Sequence, residues 1–130
     1  MRRPSLIVAM LGCALLPAMA SAQVMEQNFL VGTTGDLVLL CASQPGDPFY
    51  TAAQNFCHGY AVGVYQTIEA QQSARATALF CPPAQMPTRT EAIANFVRWA
   101  QASSARVATA PTEGIASYLV ERLPCRSAAR

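Results

Sequence analysis

Four cysteines, Cys41, Cys57, Cys81 and Cys125, are spread through an otherwise apolar chain, and no two lie close enough to form a C-x-x-C pair. Metal-binding thiolates come as close pairs, so this spacing argues against a metal site and for disulfides. Disulfides persist in oxidising compartments, and the N-terminus supplies the route there. Arg2 and Arg3 precede an apolar run from Leu6 to Leu16, then Pro17 and the small-residue box Ala20-Ser21-Ala22. That order is a cleavable secretory signal over residues 1–22, too short in its apolar part to anchor in a bilayer. A fifth cysteine, Cys13, leaves with the signal; Leu11-Gly12-Cys13 only faintly resembles a lipidation box.

Removal of 22 residues from 130 leaves a mature domain, residues 23–130, of 108 residues. That length suits one domain with one core. Two of the 9 basic residues fall in the signal and none of the 7 acidic ones does, so the mature chain balances at 7 minus 7, or zero. A neutral chain has little to attract phosphate backbones or anionic lipids, which excludes nucleic acid and membrane surfaces as natural partners.

The pattern of apolar residues is helical throughout. Thr33 and Asp36 are spaced as a capping box for a helix over about 34–42, with Leu37, Leu40 and Cys41 on one face. Gln44-Pro45-Gly46-Asp47-Pro48 ends it. Thr51 and Gln54 have the same capping spacing ahead of the longest amphipathic stretch, which runs to about Ser73 through Ala53, Phe56, Cys57, Tyr60, Val64 and Ile68. Thr88 and Glu91 cap a third helix carrying Ile93, Phe96, Val97 and Ala100, and Pro111 opens a fourth that Pro124 stops. No alternating run of β-branched and aromatic residues competes with this reading. The fold class is all-α: a small single-domain bundle of about four helices with two disulfides.

Four cysteines permit three pairings, and that map favours one of them. Cys41 ends the first helix and Cys57 lies early in the second, and consecutive helices joined by a short turn are antiparallel neighbours. Cys81 precedes the third helix and Cys125 follows the fourth, so their ends lie together if that pair is antiparallel. The expected bridges are Cys41 to Cys57 and Cys81 to Cys125.

A catalytic centre is hard to assemble from these residues. The only histidine, His58, adjoins Cys57, but neighbours on a helix point about 100° apart, and an oxidised Cys57 is no nucleophile. Position 54 is glutamine, so no haem-attachment motif forms there. The carboxylates are scattered, Asp36 and Glu91 are occupied at helix starts, and no glycine loop suits a phosphate. No catalytic residue, metal or cofactor is expected.

Two features stand out instead. Gly59 and Gly63 interrupt the best helix one turn apart, each at a cost of about 1 kcal/mol relative to alanine. With Tyr60 they read as a scaffold motif, a flat strip for a neighbouring helix of the same domain, or for a partner. Arg98 and Trp99, with Arg106 in the connection that follows, are a candidate recognition edge, since arginine and tryptophan anchor interfaces. A lone tryptophan in so small a domain is nonetheless read first as core.

Taken in order, Thr34-Gly35-Asp36-Leu37-Val38-Leu39-Leu40-Cys41, Phe56-Cys57-His58-Gly59-Tyr60-Ala61-Val62-Gly63, Cys81-Pro82-Pro83 and Leu123-Pro124-Cys125 resemble the Rap/Tai family of type VI secretion immunity proteins. The resemblance implies a small helical periplasmic protein, often a homodimer, that binds and blocks a toxic peptidoglycan amidase by covering its cysteine and histidine cleft. Such an inhibitor needs no catalytic group or cofactor of its own. The competing reading is a small acid-activated periplasmic stress or chaperone-like protein. It needs an acid switch, for which this chain has few carboxylates and one histidine.

Overall fold

The computed structural model describes residues 22–75 and 77–125. The expected signal, apart from Ala22, and Cys13 lie outside the described residues. A 3-10 turn, Glu26–Leu30, leads into α1 (Thr34–Cys41), α2 (Tyr50–Ser73), α3 (Arg89–Gln101), the single-turn α4 (Ser104–Val107) and α5 (Pro111–Arg122). Among the described residues there is no strand, as the helical periodicity predicts.

The short α1 is apolar nearly all round, and a helix of that kind has to be enclosed. Its Thr34, Leu37, Val38, Leu40 and Cys41 are buried, and α2, α3, α4, α5 and the 3-10 turn all pack on it. Each fully enclosed leucine contributes about 2 kcal/mol of transfer free energy, which offsets the poor intrinsic stability of an eight-residue helix. The expected capping box closes it: Asp36 N–H donates to Thr33 Oγ1 at 3.1 Å, and Thr33 N–H donates to Asp36 Oδ2 at 2.9 Å. The buried Asn28 adds a bond from Nδ2 to Asp36 Oδ1 at 2.9 Å, joining the 3-10 turn to α1. Between them Val31 adopts a left-handed φ of 48°, a costly conformation for a β-branched residue, held by burial of its side chain.

Thr88 and Glu91 form the predicted cap of α3, but the expected Thr51 and Gln54 cap of α2 does not form. Asp47 Oδ1 accepts from Phe49 N–H at 2.8 Å, so the chain turns earlier and α2 begins at Tyr50. Gln54 is used elsewhere. Its Nε2 donates to the carbonyls of Cys41 and Ser43 at 3.1 and 3.4 Å, satisfying groups that the end of α1 leaves free.

Both predicted disulfides are present, Cys41–Cys57 and Cys81–Cys125, across sequence separations of 16 and 44. By loop-closure entropy they contribute about 3 and 4 kcal/mol. The first sits in the core with Cys57 wholly enclosed; the second is at the surface. A single turn of helix, α4, also occupies the connection between Gln101 and Pro111, which holds Arg106 and for which the sequence predicts no helix.

Candidate functional site

Cys57 points inward to its bridge, and because residues two apart on a helix lie about 200° round, Gly59 points outward. The same segment therefore staples α2 to α1 and opens its far side. A Cβ added at Gly59 or Gly63 would meet nothing within 4 Å. This corrects the expectation that a helix of the same domain covers these glycines: α1 and α5 take up the inward faces of α2, and the strip is left open.

The glycines floor a groove of about 820 Å³. Phe56, Tyr60, Val64 and Ile68 recur at four-residue spacing along its α2 side, and Thr112, Glu113 and Ala116 from the first turns of α5 form the other. Phe56 and Tyr60 stack with centroids 6.0 Å apart, and Phe29 braces Phe56 edge-on at 5.7 Å, so the aromatic wall is fixed from behind. Partial burial raises the Tyr60 phenol above its ordinary value; like any phenol at neutral pH, it is a neutral hydrogen-bond donor and acceptor. Among the described residues Glu113 is the one charged residue lining the groove. The arrangement suits binding: an apolar floor with low relief, rigid aromatic anchors and one anionic point. The α5 wall carries no motif, only small and polar residues at Thr112 and Ala116, and gave no sign of itself in the sequence.

Trp99 belongs to the core, 4% exposed. Its Nε1 donates to Glu121 Oε2 at 2.9 Å, and the Arg106 guanidinium lies 4.3 Å from the centre of its ring. Arg106 also donates from Nη1 to the Trp99 carbonyl at 2.8 Å and from Nη2 to both Glu121 oxygens at 3.1 Å. These bonds clamp α3, α4 and α5 together, so Trp99 and Arg106 are joined, but inwardly. Arg98 faces solvent and pairs with Asn95 of the preceding turn. Glu121, which completes the clamp, has no sequence signal beyond its charge.

Two carboxylates depart from their ordinary values, both downward. Asp36 is lowered chiefly by the Asn28 side-chain bond and then by those of Thr33, and Glu91 by its bonds to Thr88. His58 is partly exposed beside the oxidised Cys57. Among the described residues no group of three or more His, Cys, Asp or Glu could hold a metal ion, and no helix is long and apolar enough to cross a membrane.

A family model described as Rap1a immunity proteins matches residues 33–125, from the cap of α1 to the last cysteine. No curated protein and no solved structure matches the chain.

Proposed function

We propose that this chain, which belongs to the Rap1a immunity protein family, is a type VI secretion immunity protein that binds a peptidoglycan amidase in the periplasm and covers its cleft. The observation that carries this reading is the open glycine strip. Gly59 and Gly63 weaken α2 by about 1 kcal/mol each, and among the described residues no neighbour packs within 4 Å of where a Cβ would stand at either position to offset that. A partner backbone laid on the strip recovers the cost through close contact, with Phe56 and Tyr60 as side-chain anchors. The occupant is a segment of the amidase at the rim of its cleft, presenting an apolar surface and a basic or N–H group toward Glu113. The secretory signal expected from the sequence and the two disulfides support the periplasmic setting.

The direct test is inhibition of a co-encoded amidase by the purified oxidised protein. Stoichiometric loss of peptidoglycan cleavage is expected, with Gly63→Leu, which fills the floor, abolishing it while the helical circular dichroism is unchanged. Full amidase activity in excess protein overturns the reading. A second copy of the chain is the other candidate to cover the strip. Light scattering of the wild type and Gly63→Leu separates the two: a dimer lost in the variant assigns the groove to self-association.

A further inference from the structure

The two disulfides stand in opposite surroundings. Cys57 is 0% and Cys41 9% exposed, enclosed with Leu37, Leu40 and Ala53, whereas Cys81 and Cys125 are both exposed. Thiol–disulfide exchange begins with a thiolate approaching one sulfur, so access decides which bond opens first.

The exposed bridge also holds a particular segment. Between α2 and α3 the chain is docked by Phe80, wholly buried with its ring 5.6 Å from Tyr65. Gln72 fixes the same point, accepting from Leu79 and Phe80 N–H at 3.1 and 3.3 Å and donating to the Phe80 carbonyl at 3.2 Å. Beyond it, Cys81 N–H donates to the Leu123 carbonyl at 2.8 Å, and from there to the cap at Thr88 every residue is exposed and no backbone-to-backbone hydrogen bond is made. Pro82, Pro83 and Pro87 have no N–H to donate. Met86 and Pro87 of this stretch line an apolar cleft of about 260 Å³, together with Tyr65 of α2, Ile93 and Phe96 of α3, and Ile115 of α5.

We propose that the Cys81–Cys125 disulfide is a reducible strap, opened by a dithiol while Cys41–Cys57 stays closed, whose release lets residues 81–87 move off the apolar cleft. In the step, one dithiol thiolate attacks Sγ of Cys81 or Cys125, and the displaced protein thiolate takes a proton. The second dithiol sulfur then closes on the mixed disulfide and releases the other cysteine. Two electrons and two protons pass to the protein, and the dithiol leaves as its cyclic disulfide. Phe80, Gln72 and the Thr88 cap keep both ends of the segment docked, so opening is confined to the stretch between them.

The test is a titration of the oxidised wild-type protein with dithiothreitol, quenched by iodoacetamide and mapped by peptide mass. Cys81 and Cys125 are expected to alkylate at least about tenfold faster than Cys41 and Cys57. At that first step, anilinonaphthalene sulfonate fluorescence should rise several-fold with the far-ultraviolet circular dichroism unchanged. Simultaneous reduction of all four cysteines, earlier reduction of Cys41–Cys57, or a first step without a fluorescence change overturns the proposal. The variant Cys81→Ser/Cys125→Ser should bind the dye without reductant. Its failure to fold, under conditions where the wild type folds, also overturns the proposal, because a strap is by definition dispensable to the helices it crosses.

Discussion

Gly114 on α5 faces Thr34 on α1 so closely that a methyl group at position 114 would lie 2.8 Å from Thr34 Cγ2 and nearer still to Thr34 Oγ1. Thr34 cannot rotate away freely, since its Oγ1 bonds to the Ala110 carbonyl at 3.1 Å and to Thr109 Oγ1 at 2.9 Å. Gly114→Ala is therefore expected to destabilise the domain by about 2–3 kcal/mol, through overpacking and a broken hydrogen bond. Urea unfolding followed by circular dichroism measures it, and a loss below about 0.5 kcal/mol would show that α5 can shift to make room.

The opposite sign is expected at the open strip. Alanine at Gly59 or Gly63 has no neighbour to strike, so each substitution should stabilise the isolated protein by about 0.5–1 kcal/mol. The double variant Gly59→Ala/Gly63→Ala should at the same time weaken capture of the proposed amidase partner, measured by calorimetric titration. A variant that is more stable and binds unchanged would move the contact off this face.

Arg106 and Arg98 should separate cleanly. Arg106→Ala removes the contact with the Trp99 ring and the bond to the Trp99 carbonyl, for an expected loss of about 1–2 kcal/mol. Its ion pair with Glu121 is half exposed and adds little. Arg98→Ala, at a solvent-facing position, should leave stability within about 0.5 kcal/mol. Thermal unfolding of the two variants checks the pair.

Acid should loosen the starts of α1 and α3. Asp36 and Glu91 titrate below their ordinary values of 3.8 and 4.5, so the stability they contribute is present above those values and is lost as pH falls through the lower folded ones. Stability measured by urea should fall below about pH 4, with a shallower slope in Asp36→Asn. Both shifts are downward, so neither carboxylate can trigger a transition at mildly acidic pH. An acid-activated chaperone would need such a trigger.

Local rules account for much of this molecule. The spacing of Thr33 with Asp36 and of Thr88 with Glu91, the prolines that stop helices, and the 3.6-residue apolar period are interactions between near neighbours in the chain, so the helices can be read from the sequence. Helix ends favour the observed disulfide pairing among the three possible ones, because a short connection makes consecutive helices antiparallel neighbours. The cap of α2 escapes the same reasoning: Thr51 and Gln54 have the spacing, but Asp47 turns the chain first and Gln54 is claimed by α1.

What lay across the chain was settled only in three dimensions. The sequence marks Gly59, Gly63 and Gly114 alike as small residues in helices, yet the first two look onto open space and the third is pressed against Thr34. Which face of a helix is covered depends on where distant helices pack, and no residue carries that information by itself. Trp99 and Arg106 make the same point: their interface-like chemistry was spent inside the domain once the fold brought Glu121 beside them. Helices, staples and family motifs are properties of local order along the chain; the open groove and the inward clamp are properties of packing.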